Sequence, residues 1–266
     1  THPEVAAILL INPNNPTGAV YNKETLERVV DLAEKYGLMI LSDEIYFRLV
    51  YKGHEFVQIT EIAHNRVPLI VMRGLSKDVP WPGARCGWLE FHNTHLDEGF
   101  KNYCDSVKKR VLMEVCSVTL PQVLLPRIYD HPEFEGWLSS YKEKLEFNSN
   151  LVAELLKPVE GLQVIRTNGA FYMMVRFKDG VLSDKQQLAI ANEKIRALIE
   201  KKAEGAKPDQ RFAYYLLGAT GIVVVPASGF FSPYFGFRIT TLTRDENELR
   251  AIYKRLAEAI QAYLNS

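Results

Sequence analysis

With 266 residues, 47% of them hydrophobic, the chain is long enough to bury the core of one large or two ordinary domains. Its 32 basic and 32 acidic residues are interspersed, which argues against a nucleic-acid partner or a membrane surface. No apolar run approaches the ~20 residues of a spanning helix, and we expect no signal peptide. The three cysteines and six histidines lack metal-ligand spacing, so we expect no metal and a reducing, cytoplasmic compartment.

The first half of the chain alternates strands and helices. An aliphatic run at 5–11 predicts a strand buried on both faces. Apolar spacing predicts a helix over 23–36, with Asn22 as its N-cap and Gly37 as its C-terminal stop. Further strands are predicted at 38–44, 67–72 and 88–91. This order indicates an α/β unit with a mostly parallel sheet.

The second half has α+β character, and we place a domain boundary near residue 145. A long helix is predicted at 132–156 and a charged helix at 183–202. The final helix is predicted to open with Thr243 and Glu246 in capping-box spacing. Short strands are predicted at 162–165, 170–175, 221–229 and 236–242, and solvated surface at 179–187 and 200–210.

Four short motifs follow the predicted strands of the first half. They are NPNNPTG at 12–18, SDEIY at 42–46, GLSK at 74–77 and PGARCGW at 82–88. Ligands of open α/β sheets gather at the carboxyl ends of strands, so the position of these motifs matters as much as their composition. Each motif alone has a structural explanation as a turn, a cap, a surface lysine or an ion-paired arginine. Arg238, inside the apolar segment FGFRITTL, needs a partner, and an anionic ligand is a natural one.

Together and in this order, the motifs resemble those of the class I/II aminotransferases, which are fold-type I pyridoxal-phosphate enzymes. The resemblance covers essentially the whole chain. It implies that residues 1–145 are the C-terminal part of the large cofactor-binding domain and that 146–266 are the small C-terminal domain.

The resemblance implies three catalytic residues. The lysine matching Lys77 binds pyridoxal phosphate covalently and moves protons, because only an amine forms a Schiff base. The aspartate matching Asp43 pairs with the pyridine nitrogen and favours its protonated form. The tyrosine matching Tyr46 donates a hydrogen bond to the phenolic oxygen of the cofactor.

The resemblance also implies binding residues. Asn15 matches the asparagine beside the cofactor's phenolic oxygen and the substrate carboxylate. Arg85 matches the arginine that holds the phosphate, and Arg238 the one that binds the substrate α-carboxylate, since a planar guanidinium fits both groups.

The sequence departs from the family pattern at two places. Gly74 stands where many relatives have a hydroxyl residue that contacts the phosphate, and Ser76 is the candidate replacement. The glycine/serine phosphate loop and the ring-stacking aromatic residue, which relatives carry before NPTG, are not visible. We therefore expect an N-terminally incomplete chain that by itself binds pyridoxal phosphate poorly and does not transaminate.

The expected activity is transfer of an amino group between an L-amino acid and a 2-oxo acid, by a homodimer in the complete protein. Aromatic residues are candidates for the side-chain pocket, and no second arginine besides Arg110 is a candidate, so neutral or aromatic amino acids are favoured over aspartate. These pocket candidates are Phe171, Tyr172, Phe230, Phe231 and Tyr234. Two alternatives stay open: a pyridoxal-phosphate lyase or aminocyclopropane-carboxylate synthase of the same fold, and an aminotransferase-like effector domain of a transcription regulator.

Overall fold

A computed structural model of the chain describes residues 4–266 and divides them into two compact units. Unit 1 comprises the residues up to Asn15 together with 19–142 and 168–170. Unit 2 comprises 16–18, 143–167 and 171–266. None of the helices in the described part of the chain has the length and apolar character needed to span a bilayer.

Unit 1 is built on a four-stranded sheet in the order β1-β2-β3-β4. The strands are β1 (Ala7–Ile11), β2 (Met39–Asp43), β3 (Leu69–Gly74) and β4 (Gly87–His92). The β1–β2 and β2–β3 pairs are parallel, and β4 runs antiparallel to β3. The α/β class and the largely parallel sheet predicted from the sequence are confirmed.

Helix α1 (Lys23–Tyr36) forms where its local signals predict. The side chain of Asn22 accepts a hydrogen bond from the Thr25 N–H, and Gly37 ends the helix in the left-handed conformation with a φ of 62°. Leu26, Val30 and Ala33 are completely buried and belong to the core that covers β1–β3. The other helices of this unit are α2 (Ile59–Ile62), α3 (Glu98–Leu112), α4 (Thr119–Tyr129) and the first part of α5 (Phe134–Leu156).

Two features of unit 1 differ from expectation. Strand β1 is not buried on both faces, because it is the edge strand of this sheet and the side chain of Leu9 is 61% exposed. Helices α3 and α4 were not predicted. Helix α4 contains Pro126 and has no side-chain cap, so it lacks the start and stop signals that identify α1.

Unit 2 is built on an antiparallel sheet in the order β5-β6-β8-β7. The strands are β5 (Leu162–Val164), β6 (Tyr172–Phe177), β7 (Val225–Pro226) and β8 (Gly236–Thr240). The helices are the rest of α5, α6 (Glu193–Ala203), α7 (Pro208–Thr220) and α8 (Glu246–Leu264). A core of buried residues, with Phe177, Phe212, Phe237 and Tyr263 at its centre, holds sheet and helices together.

Local predictions for unit 2 were partly wrong. Helix α6 begins at Glu193, ten residues later than predicted, with Asn192 as its N-cap. The segment taken as solvated surface contains the start of α7, whose Asp209 is fully buried. The N-cap of α8 is Asp245, which accepts a hydrogen bond from the Glu248 N–H at 2.8 Å, and not Thr243. One face of α8, which includes Leu249, Tyr253 and Leu256, is buried.

Candidate active site

The motifs of the first half lie side by side at one edge of the unit 1 sheet. NPNNPTG, SDEIY and GLSK lie at the carboxyl ends of β1, β2 and β3, which meet at the same edge because the strands are parallel, and PGARCGW leads into β4. Two backbone bonds extend the pairing past the strand ends. The Asn12 N–H donates to the Asp43 carbonyl at 3.0 Å, and the Glu44 N–H donates to the Met72 carbonyl at 2.9 Å. The three loops therefore start in fixed register.

The turn that carries Asn15 is held by its own polar groups. The buried side chain of Asn12 accepts a hydrogen bond from the Tyr21 N–H at 3.0 Å, and the Asn14 N–H donates to the Ala19 carbonyl at 2.8 Å. Asn15 lies between these anchors and is partly buried. The position of Asn15 is therefore fixed by a turn that is hydrogen-bonded on both sides of it.

Asp43, Tyr46 and Lys77 come together in this region. The Lys77 Nζ lies 6.0 Å from the centre of the Tyr46 ring, which is only 3% exposed. Asp43 Oδ1 accepts a hydrogen bond from the Ile45 N–H at 3.1 Å, which orients the carboxylate. Burial raises the pKa of Asp43, and the Ile45 N–H and the charge of Lys77 partly offset this rise.

A buried ion pair beneath the SDEIY loop was not predicted. Glu44 is 1% exposed, and its Oε2 accepts hydrogen bonds from Arg73 Nε at 3.1 Å and Nη2 at 2.6 Å. Its Oε1 accepts from the Ser42 hydroxyl at 3.1 Å. Burial raises the pKa of Glu44 and Arg73 lowers it. The pair fastens the loop to β3, and no sequence pattern distinguishes it from a surface pair.

The loop that carries Lys77 is tied to the chain that follows it. Leu75 is fully buried, its N–H donates to the Cys86 carbonyl at 3.1 Å, and its carbonyl accepts from the Trp81 N–H at 3.0 Å. Ser76 is partly buried next to Lys77. The loop is therefore fixed at Leu75, one residue before Ser76.

The guanidinium of Arg85 forms a hydrogen bond within its own turn. The residue is exposed and adopts the left-handed conformation, with a φ of 48°, after the 3₁₀ helix Pro82–Ala84. Among the described residues, its guanidinium hydrogen bond goes to the Pro82 carbonyl at 2.8 Å. A non-glycine residue in this conformation is strained, which is a common property of residues at functional sites.

The departure at Gly74 has a structural cause. Gly74 pairs with Gly87 between β3 and β4, and a Cβ at position 74 would lie 2.8 Å from the Cys86 carbonyl oxygen. The contact is with backbone, which cannot rotate away. A hydroxyl residue therefore does not fit at this position without a shift of β4.

We expect Gly74→Ala to lower the free energy of unfolding by about 1–3 kcal/mol, because the added methyl group forces the two strands apart. Gly136→Ala is the control, since a Cβ at position 136 has no atom within 4 Å, and it should be neutral or stabilising by up to about 1 kcal/mol. Urea unfolding measures both variants. Equal stability of the two would contradict the crowding argument.

Arg238 belongs to unit 2 and lies between two aromatic rings. Its guanidinium carbon is 4.3 Å from the centre of the Tyr172 ring and 5.0 Å from that of the Phe230 ring. Tyr172 lies in β6 opposite Thr240 of β8, two residue pairs away from the Arg238–Met174 pair. Cation–π contacts of this kind contribute roughly 0.5–2 kcal/mol each and fix the plane of the guanidinium.

The other aromatic candidates are placed differently. Phe231 is 98% exposed, and the Tyr234 ring stacks on the guanidinium of Arg176 at 3.7 Å. Phe171 is buried, with its ring 4.8 Å from that of Tyr172. Arg110 is exposed at the end of α3, in the KKR cluster. Tyr172 and Phe230 are thus the two candidates that line Arg238. No group of three potential metal ligands is found within residues 4–266.

Comparison with known proteins agrees with these features. The sequence profile of the family described as "Aminotransferase class I and II" matches residues 1–256. An uncharacterized aminotransferase of Methanocaldococcus jannaschii is 44% identical over 265 residues, which is 100% of this chain and 61% of that protein. A tyrosine aminotransferase of Caenorhabditis elegans is 31% identical over 245 residues, which is 91% of this chain and 46% of that protein.

The solved structure of an aminotransferase from Escherichia coli superposes with a TM-score of 0.79 at 25% identity, covering 100% of this chain and 59% of that one. The chain thus spans roughly half to three fifths of the length of these relatives. Its fold is that of the fold-type I aminotransferases. On the profile match and the shared fold, the chain belongs to the class I and II aminotransferase family.

Proposed function

We propose that the protein is a pyridoxal-phosphate-dependent aminotransferase that transfers an amino group between a neutral or aromatic L-amino acid and a 2-oxo acid. The observation that carries this proposal is the grouping of Asp43, Tyr46 and Lys77 at the carboxyl edge of the unit 1 sheet. These residues supply a carboxylate, a phenol and a primary amine, which are the groups this cofactor requires.

The functional groups of Asp43, Tyr46 and Lys77 fit the chemistry of pyridoxal phosphate. When bound, pyridoxal phosphate supplies an electron sink for the negative charge that develops at the substrate Cα. Lys77 would bind the cofactor aldehyde and then, as a free amine, move the proton at Cα. Asp43 would hold the ring nitrogen protonated, and the new positive charge would relieve the desolvation that raises its pKa.

The remaining residues would bind and orient. The Tyr46 hydroxyl and the Asn15 amide would donate to the phenolic oxygen, and Asn15 would also face the substrate carboxylate. Arg85 would hold the phosphate, with Ser76 as the candidate hydroxyl in place of a side chain at position 74. Arg238 would bind the α-carboxylate.

Aromatic neighbours of Arg238 support a preference for apolar substrates. Tyr172 and Phe230 flank its guanidinium, and the family relative from Caenorhabditis elegans is named a tyrosine aminotransferase. Aromatic walls favour an apolar side chain over a carboxylate, which would need a second cation.

We further propose that the protein acts in the cytoplasm as a homodimer. Apolar side chains are exposed along the end of α3 and the start of α4, which is the pattern of a protein–protein contact. The most exposed are Leu112, Met113, Val115 and Leu120. Sedimentation over a range of concentrations measures this, and a species that stays monomeric would count against it.

A donor panel tests the activity. In the full-length protein we expect transfer of the amino group from tyrosine, phenylalanine or alanine to 2-oxoglutarate or pyruvate, with aspartate a poorer donor. Release of ammonia or elimination products instead would assign the protein to the lyases or synthases of the same fold.

Arg238→Ala should raise KM by roughly tenfold to a hundredfold for every amino acid in the panel, because each loses one charge-assisted interaction. The control is Arg176→Ala, which removes a guanidinium stacked on Tyr234 in the same sheet. KM should be unchanged in the control. Losses that differ between substrates would indicate that Arg238 reads the side chain.

A further inference from the structure

A buried carboxylate, Asp78, connects the two loops that carry Lys77 and Tyr46. Asp78 follows Lys77 directly, and its side chain is completely buried. Its Oδ2 accepts a hydrogen bond from the Tyr129 hydroxyl at 3.0 Å and lies 3.6 Å from Arg48 Nε. Arg48 stands two residues after Tyr46. The contacts of Asp78 thus link the residue next to Lys77 with the end of the Tyr46 loop.

The guanidinium that faces Asp78 is itself fixed. Its carbon lies 4.6 Å from the centre of the Tyr129 ring, 5.1 Å from Phe47 and 5.3 Å from Phe134. Its Nη1 donates to Glu135 Oε1 at 3.2 Å. Arg48 is therefore held on several sides and presents its charge to Asp78 in one orientation.

A carboxylate in this position is costly unless its partners stay in place. Burial raises the pKa of Asp78, and hydrogen bonds from Tyr129 and the Val79 N–H, with the charge of Arg48, lower it. Losing either loop's position would leave a buried charge with fewer partners. The network therefore favours the arrangement of the two loops in which Lys77 and Tyr46 lie at their present distance.

We propose that Asp78 is a positioning residue that fixes the Lys77 loop against the Tyr46 loop through Tyr129 and Arg48. The inference rests on the proposed function, in which Lys77 and Tyr46 act on the same cofactor. Lys77 Nζ lies 6.0 Å from the Tyr46 ring, and a misplacement of about 1 Å can cost on the order of a hundredfold in rate. Asp78 acts through its neighbours and does not itself touch the cofactor.

The test compares two single hydroxyl deletions in the 266-residue chain. Tyr129→Phe removes the hydrogen bond to Asp78 and keeps the ring that packs on Arg48. Tyr51→Phe is the matched control, because the buried Tyr51 hydroxyl donates to the Ala170 carbonyl at 2.9 Å in the same unit. Asp78→Asn, which removes the charge at nearly constant volume, is the second variant.

Hydrogen exchange of the cofactor-free chain is measured first. We expect the amides of residues 74–79 to exchange roughly tenfold faster in Tyr129→Phe and in Asp78→Asn, as for loss of one buried hydrogen bond. Tyr51→Phe should leave these amides unchanged. Protection of 74–79 that is equal in all variants would overturn the inference.

Covalent trapping is measured second, by borohydride reduction with pyridoxal phosphate and mass spectrometry of the Lys77 peptide. We expect Tyr129→Phe and Asp78→Asn to lower the trapped fraction by roughly tenfold, while Tyr51→Phe matches the unmodified chain. Equal trapping in Tyr129→Phe and Tyr51→Phe would show that the network does not position Lys77. Absence of trapping at Lys77 in the unmodified chain, even with a large excess of pyridoxal phosphate, would instead reject the proposed function, and the exchange result then decides whether Asp78 fixes the loop.

Discussion

In the full-length protein, replacing Lys77 by alanine is expected to end covalent binding of pyridoxal phosphate and to slow amino-group transfer by about 10 000-fold or more, since a positioned acid–base group alone contributes up to this factor. The amine would both bind the cofactor and move the proton, so both functions are lost. The side chain is partly exposed, and the variant should keep its stability to within about 0.5 kcal/mol. Loss of visible cofactor absorption and of product formation measures the effect.

One further variant separates the reactive amine of Lys77 from its positive charge. Lys77→Arg keeps a cation beside Asp43 but cannot bind the aldehyde, so it should be as inactive as Lys77→Ala. Lys35→Ala is the control: Lys35 is an exposed lysine whose Nζ lies 5.1 Å from the ring of Tyr36. A borohydride-stable cofactor adduct that persists in Lys77→Ala would disprove the assignment of this lysine.

Replacing Asp43 by asparagine should reduce the rate by on the order of a thousandfold, as for removal of a preorganised charge that stabilises the transition state. The amide can still accept the hydrogen bond from the Ile45 N–H, so the loop should keep its shape. What is lost is the negative charge that would hold the cofactor ring nitrogen protonated. Turnover number measures the loss, and near-normal turnover would refute the role.

Although the Asp43→Asn substitution should lower the rate, it should not lower the free energy of unfolding. Burial raises the pKa of Asp43 in the folded chain, so its charged form costs stability at pH values above that folded pKa. Without cofactor, the variant should be at least as stable as the original chain at neutral pH. The difference should narrow as the pH falls through the folded pKa, where Asp43 becomes neutral.

The control for Asp43→Asn is the same substitution at a helix N-cap, Asp97. Asp97 accepts a hydrogen bond from the Phe100 N–H at 2.5 Å at the start of α3. Asparagine caps a helix about as well as aspartate, so Asp97→Asn should change neither rate nor stability appreciably. An equal loss of activity in both variants would point to a general effect of lost charge.

Local signals in the sequence determined the elements whose boundaries are set by neighbouring residues. Helix α1 begins after Asn22 and ends at Gly37 because a side-chain cap and a left-handed glycine act within one turn of the chain. The same reasoning placed the start of α8 close to its observed position but chose Thr243 instead of Asp245 as its cap. Both side chains can cap, and only the path of the chain decides between them.

The grouping of Asp43, Tyr46 and Lys77 was also predictable, since parallel strands bring their carboxyl ends to one edge. The orientation of Arg85 was not, because the strained turn after Ala84 directs its guanidinium to the Pro82 carbonyl. The roles of these residues toward a cofactor remain predictions.

Tertiary contacts alone determined the surroundings of Gly74 and Asp78. In the sequence, Gly74 is simply a departure from the family pattern. The structure shows its cause: the β3–β4 pairing places the Cys86 carbonyl oxygen, twelve residues away, where it would be 2.8 Å from a Cβ at position 74. No sequence pattern marks Asp78 as buried, and its hydrogen-bond partner Tyr129 lies 51 residues later in the chain. The sequence determines which groups are present and where strands and helices begin. Burial and partnership between distant residues arise only when the sheet and the helices pack, because the free energy of a buried charge depends on its neighbours in space.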